Sequence, residues 1–125
     1  HAPHPSEDKD CEWSAAAFGM TGLESALAIV NETMVATGLM TWKQVADRMS
    51  IKPAQIGKVS DQGQPLTVGS PANIVVFNPA TTYVVDPAQT LSASRNTPYR
   101  GRTLQGDVVA TFYKGKPTVL EGQLA

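Results

Sequence analysis

The sequence predicts a mixed α/β chain, helical in its front half and stranded in its back half. Three observations carry that reading. Apolar residues recur at helical spacing behind two start signals of the Thr-x-x-Glu/Gln kind, Thr21 with Glu24 and Thr41 with Gln44. Turn chemistry in Asp61-Gln62-Gly63-Gln64-Pro65 then marks a shift in composition. Beyond it, β-branched and aromatic residues gather in runs of strand length.

Taken in order, the first helix is expected behind Thr21 and Glu24. Leu23, Ala26, Leu27, Val30 and Met34 form its apolar stripe, read as ordinary core packing, and Gly38 ends it. Thr41 and Gln44 open a second helix whose apolar face is Trp42, Val45, Ala46 and Met49, ending near Ser50. Pro53 is placed to start a short third helix, closed by Gly57. After residue 61, Leu66 to Val68 reads as a short strand. Ile74 to Phe77 reads as a buried one stopped by Asn78-Pro79, and Tyr83 to Val85 as another stopped by Asp86-Pro87. Leu91 to Arg102 is rich in turn formers and reads as irregular. Val108–Tyr113 and Thr118–Leu120 flank Lys114-Gly115-Lys116 as a hairpin. No internal repeat, low-complexity tract or heptad pattern is present.

Composition sets outer limits. A chain of 125 residues is one domain's worth, able to bury about two thirds of its unfolded surface. With 42% apolar and 17% charged residues it reads as globular. A net charge of −1 gives no electrostatic case for nucleic acid or an anionic membrane surface. Cys11 is alone, which excludes an internal disulfide and fits a reducing compartment. There is neither a signal-peptide pattern nor an apolar run of membrane-spanning length. A cytoplasmic protein is expected.

Residues of the kind that build sites crowd into His1–Glu24. Both histidines, five carboxylates and the cysteine fall there, together with a Phe-Gly pair at Phe18 and Gly19. Pro3 and Pro5 flank His4 and keep the opening stiff and extended. The residues alone allow three readings. One is a solvated polar chain end. Another is a metal site from His1, His4, Cys11 and Asp8 or Asp10, of types that suit zinc or copper. Against it, His-x-x-His on a proline-interrupted loop lacks the i, i+4 helical register that aims two imidazoles together. The third is a ligand-contacting loop in which His4 serves an anion as donor or charge partner.

Four motifs stand in order along the chain: HAPHP with an acidic run, AFG leading into GLESAL, SPANIVVFNP, and SRNTPYRG before a valine-rich strand and a YKGK turn. Together they resemble the bacterial-type dihydroorotases, from the loop after the eighth barrel strand to the C-terminal part. The resemblance covers nearly all 125 residues. It implies an α/β fold: the C-terminal end of a (β/α)8 TIM barrel, with two to three helices, followed by part of a composite β-sandwich domain. Residues 1–60 would be the last loop and helices of the barrel, and 61–125 the C-terminal strands of the β domain. A whole barrel needs about 250 residues, so this chain would be a portion of one, with strand edges awaiting partners from elsewhere.

The implied activity is that of a cyclic amidohydrolase in pyrimidine biosynthesis, reversibly closing N-carbamoyl-L-aspartate to L-dihydroorotate and water. Zinc would polarise the amide carbonyl and activate hydroxide. An aspartate of the eighth strand would move the proton; in the family pattern it directly precedes His1, outside these residues. Carried over by motif, His4 helps hold the substrate carboxylate, and Phe18 and Gly19 lend backbone groups to the ring edge. His1 has a supporting role. Arg95 and Asn96 read as structural, Asn96 in a turn and Arg95 serving nearby carbonyls or a carboxylate. No catalytic residue and no metal ligand is expected among these 125 residues, since the metal histidines, the bridging ligand and the carboxylate-clamping arginine lie upstream in the family. The isolated chain is therefore expected to be inert.

The implied partners are the remainder of the dihydroorotase chain, carbamoyl aspartate or dihydroorotate, a second copy in a homodimer, and aspartate transcarbamoylase. The chain lacks an initiator Met, and cleavage or truncation just after the catalytic aspartate is the expectation. Three alternatives stay open. One is a noncatalytic dihydroorotase-like scaffold for aspartate transcarbamoylase. Another is a related cyclic amidohydrolase such as a hydantoinase or allantoinase. The last is a copper protein using a mature N-terminal histidine, which Pro3 disfavours because it has no amide proton to lose.

Overall fold

The structure is a computed structural model that describes residues 1–125. It combines helices in the front half with a four-stranded antiparallel sheet in the back half, of order β1-β2-β3-β4.

Helix α1 (Ala26–Val30) continues through a π-helical turn, Asn31–Val35. Ala36 N donates to Asn31 O across five residues at 2.8 Å. Thr33 and Thr37 each donate a hydroxyl back to a carbonyl four residues earlier, Ile29 O and Thr33 O. Such bonds compete for the carbonyls that an α register needs. The expected capping box at Thr21 and Glu24 does not form. Glu24 instead accepts from the Leu91 and Ser92 amides, and Ser25 occupies the N-cap without a side-chain bond. A distant loop with unpaired N–H groups competes for the carboxylate, and it wins.

Helix α2 (Trp42–Ala46) starts as expected. The Thr41 hydroxyl accepts from Gln44 N, and Gln44 Oε1 accepts from Thr41 N at 2.8 Å. It runs without a break through a π turn, Asp47–Ile51, into α3 (Lys52–Ile56). The expected stop near Ser50 is therefore corrected, while Pro53 lies in the first turn of α3 and Gly57 caps its end as expected. In a regular α-helix the Pro53 ring would meet the carbonyl four residues back. The wider π turn just ahead of it relieves that conflict.

Strand β1 (Ile74–Val84) is one bulged strand where two were expected. It pairs with β2 (Thr103–Tyr113), and the register slips between Asn78 and Thr82. Pro79 sits in this bulge, the place in a sheet where a missing N–H does least harm. Strand β3 (Lys116–Leu120) pairs with β2 through the hairpin anticipated at Lys114-Gly115. Both turn residues have positive φ, 51° and 81°, as a type I′ turn requires. A second two-residue turn at Glu121-Gly122 adds a short β4 (Gln123–Leu124) that the sequence reading missed. Residues 66–68 form bends and turn in place of the expected strand, and 91–102 is irregular as expected.

Helix α1 meets the sheet through small and polar residues. Ser25, Ala28 and Asn31 are buried, and Ala28 packs with Val85 and Leu104 under Ile29, Tyr83 and Tyr99. The expected apolar stripe lies off this contact: Leu23 is 70% exposed and Met34 is open as well. The reading of that stripe as core is overturned. Small side chains allow the close approach, with Ile29 packed beside them and Leu27 and Val30 half-buried. Likewise, Val75 and Val76 of the presumed buried strand are exposed on edge strand β1.

Asn31 fixes the bulge. Its Nδ2 donates to Pro79 O at 3.1 Å and Gln105 O at 2.9 Å. The second helix reaches the sheet through Trp42, whose ring lies 5.1 Å from that of Phe77. Phe77 in turn covers Gly106 (φ 113°), where a Cβ would overlap the ring. Asp61 bonds Lys114 Nζ at 2.8 Å, and Asn73 bridges the same two segments through Asp61 O and Lys114 N.

Only 11 of 125 residues are buried, and the exposed area is 8810 Å². A compact monomer of 13.3 kDa exposes roughly 6,450 Å². The excess, roughly 2,400 Å², is of the size that permanent interfaces cover. No helix is long and apolar enough to cross a membrane.

Replacing Asn31 by Ala removes two donors at a buried site and should cost about 2 kcal/mol, read from the shift of the urea midpoint. A cost below about 0.5 kcal/mol would remove Asn31 from this role. Burial, and then the nearby carboxylates of Asp107, Glu24 and Glu32, raise the Tyr83 phenol above its usual range. The unfolded chain then ionises first. Stability should be intact below about pH 10 and decline as pH rises from there through the raised value. Tyr83→Phe should flatten that decline in thermal melts taken across alkaline pH.

Candidate functional site

The opening loop is closed by side chains that reach backbone groups. A single 3₁₀ turn at Ser6–Asp8 reverses the chain, and Ala17 N then donates to Asp8 O at 2.9 Å. Further in, Ala2 N donates to Met20 O at 2.8 Å, so the two ends of the loop run side by side. Gly19 adopts φ 93° here, and a Cβ on it would sit 2.5 Å from the Ala2 Cβ. Only glycine fits this position.

The three residues singled out from the sequence come together. His4 Nε2 lies 2.9 Å from Phe18 O, a contact in which the imidazole N–H donates. Its Nδ1 faces Asp8 Oδ2 at 3.9 Å. The His4 side chain is 27% exposed, whereas Phe18 projects almost wholly into solvent. Gly19 follows directly and carries the turn.

His1 does something the sequence reading left open. Its Nδ1 accepts from Gly22 N at 3.0 Å and Leu23 N at 3.4 Å, ahead of helix α1. It thus takes up amide donors near the place where Thr21 and Glu24 were expected to act. Arg95 serves carbonyls, donating to Ser92 O, Ser94 O and Thr90 Oγ1. Asn96 is more than a turn residue. Its Nδ2 donates to Ala2 O at 2.9 Å, its Oδ1 accepts from His4 N at 3.4 Å, and its backbone carbonyl accepts from Thr21 N. One residue from the back half therefore latches both ends of the opening loop.

Lys9 is the member of the loop that sequence reasoning missed. Its Nζ donates to Ala17 O at 2.5 Å and Gly19 O at 3.0 Å. The one local signal was a lone cation inside an acidic run, and the contacts are set by a loop closure that no short-range rule describes. Beside it lies a hollow with His4, Lys9, Arg95 and Arg100 on its walls against a single acid, Asp10. The hollow is cationic and open, and its chemistry suits an anion or a carbonyl oxygen.

A metal centre is not assembled. No group of three or more His, Cys, Asp or Glu converges. His1 Nδ1 faces helix amides, His4 faces Phe18 O, and the exposed Cys11 thiol points at Asp8 O. The four-ligand set of His1, His4, Cys11 and an aspartate is therefore set aside.

Asn96→Ala should free the opening loop while leaving the sheet folded. Amide exchange at Ala2 and Thr21 should speed up by at least about tenfold, the loss of about 1.4 kcal/mol of local protection. Unchanged exchange there would remove Asn96 as the latch.

Comparison with known proteins places this geometry. The chain is 57% identical over 124 residues to the dihydroorotase of Streptomyces coelicolor, covering 99% of this chain and 29% of that one. It is 45% identical over 124 residues to the dihydroorotase of Mycobacterium tuberculosis, with the same coverage. Among solved structures, an L-hydantoinase (dihydropyrimidinase) from Arthrobacter aurescens superposes with a TM-score of 0.86. Its identity is 28%, over 98% of this chain and 28% of that one. A D-hydantoinase (dihydropyrimidinase) from Thermus sp. gives a TM-score of 0.86 over 100% of this chain and 28% of its own, at 22% identity, a likeness of fold. No protein-family profile matches. The chain spans about 29% of the length of the curated relatives it matches. By sequence along its whole length, and by a fold shared with hydantoinases, this chain belongs to the dihydroorotase family of amidohydrolases.

Proposed function

We propose that the chain supplies a ligand-contacting loop to a longer dihydroorotase, which interconverts N-carbamoyl-L-aspartate and L-dihydroorotate plus water in pyrimidine biosynthesis. The observation that carries this is 57% identity to a dihydroorotase along 99% of the chain. In this reading His4 helps hold the substrate carboxylate, and the backbone of Phe18 and Gly19 meets the edge of the ring. The cationic hollow beside His4 supports the anionic part of that assignment. Residues 1–60 belong to the end of the barrel and 61–125 to the composite β domain. The excess exposed surface and the outward stripe of α1 are where the rest of the protein packs.

Members of this family are metal-dependent, and the donors in these 125 residues do not fit a metal centre. Zinc would be held by residues outside them, and the proton-moving aspartate would stand just before His1. This chain's part is to bind and orient. The longer protein works in the cytoplasm as a homodimer, with aspartate transcarbamoylase as a partner. A second reading, hydantoin hydrolysis, is favoured by the hydantoinase likeness at TM-score 0.86 and 28% identity.

The test uses the longer protein, loaded with zinc, and the isolated 125 residues side by side. Dihydroorotate should form from carbamoyl aspartate with the longer protein and not with the isolated chain. His4→Ala in the longer protein should raise KM for dihydroorotate on the order of tenfold, the loss of one charge-assisted hydrogen bond. Turnover of hydantoin without turnover of dihydroorotate would reject the proposed reaction in favour of the second.

A further inference from the structure

We infer that Lys9 is the positioning residue of this loop, holding the Phe18–Gly19 backbone so that its amide N–H groups face the ligand. The inference deepens the proposed function and rests on it for the identity of that ligand. Three consecutive carbonyls are turned toward cationic or N–H donors of the same loop. Lys9 Nζ takes those of Ala17 and Gly19, and the His4 imidazole takes that of Phe18. A trans peptide is planar and sets its N–H opposite its C=O. Fixing the Ala17 and Gly19 carbonyls on one ammonium therefore points the N–H groups of Phe18 and Met20 away from it, and fixing Phe18 O on His4 points Gly19 N–H away from the imidazole. None of these three amides has an acceptor within the chain. Phe18 and Met20 N–H thus lie on the side away from Lys9 and Gly19 N–H on the side away from His4, free to donate to the carbonyl oxygens of a cyclic imide.

Charge adds to the geometry. An ammonium at the oxygen end of two peptide dipoles polarises them and makes the far N–H groups better donors. The lysine is half-buried and its head is bonded twice, so the pair of carbonyls is held at one point. Gly19, with φ 93° and Ala2 pressed against it, lets both carbonyls reach the same nitrogen. Histidine alone could not do this, because it reaches only the middle carbonyl.

The experiment compares wild type, Lys9→Met and Lys9→Arg in the longer protein, by steady-state kinetics on dihydroorotate and by amide exchange. Lys9→Met should raise KM on the order of tenfold or more, with kcat lowered by less than about threefold. Exchange at Ala17, protected by its bond to Asp8 O, should speed up at least about tenfold. A merely structural lysine would lower kcat through lost active enzyme and leave KM in place, and that result overturns the inference. Should Lys9→Met fail to fold, Lys9→Arg decides. It keeps the charge without the compact head, so KM at least about threefold above wild type supports the role, and KM equal to wild type ends it. If wild type does not turn over dihydroorotate, the proposed reaction falls. The exchange at Ala17 then still decides whether Lys9 holds the turn.

Discussion

Asn31 stands where helix α1 meets the bulge of β1, and its amide donates to a carbonyl on each side of that bulge, Pro79 O and Gln105 O. Most of the fold is joined in this manner. Asn96 ties the back half to the opening loop, Glu24 holds the amides of Leu91 and Ser92, Asn73 joins the Asp61 loop to the β2–β3 hairpin, and Glu32 binds Arg102 and Gln105 N. Apart from the link of Asn73 to Asp61, 12 residues apart, each bond spans dozens of residues. Apolar burial is slight by comparison, with only six buried apolar side chains. A net hydrogen bond is worth about 1 kcal/mol, and an orphaned buried group costs about 1–3 kcal/mol. These side chains therefore decide which arrangement of the elements is tolerated, because any other leaves buried backbone unpaired.

Such a chain has surface to spare. The side of α1 that faces the sheet is small and polar, so the larger residues of the same helix, Leu23 and Met34, are left outside. Edge strand β1 shows Val75, Val76 and Val84 to solvent. An exposed apolar edge is a liability in an independent domain. In the longer protein proposed above, of which this chain would be about 29% by the measure of its relatives, that edge would have chain to lie against. The stripe of α1 was read as ordinary core packing, and within these residues Leu23 and Met34 are exposed.

What the sequence disclosed divides by range. The Thr41–Gln44 box and the Lys114-Gly115 turn are settled within four residues, and both form as expected. Their energetics involve no distant group, so local rules suffice. The Thr21–Glu24 box has the same lettering and fails, because Glu24 finds amides 67 and 68 residues away. The bulge that merges two expected strands into β1 depends on Asn31, 48 residues from Pro79. The site follows the same division. His4, Phe18 and Gly19 were readable as a motif, and their mutual contact is visible only in three dimensions. Asn96 was read as structural, though nothing in the sequence said what it would fasten. Lys9 showed only as a lone cation in an acidic run, since its bonds to Ala17 and Gly19 exist only once the loop has closed.

The loop thus separates two tasks that a site must combine. Its shape is held within this chain by a lysine, a histidine and an asparagine acting on backbone. In the proposed function the reactive apparatus belongs to the rest of a longer protein; among these residues no group of three or more metal donors converges. Rigid backbone donors lose little entropy on meeting a ligand. Asn96, in the irregular segment 91–102, fastens both ends of that loop through Ala2, His4 and Thr21, so a loop at one end of the sequence takes its shape from a segment near the other.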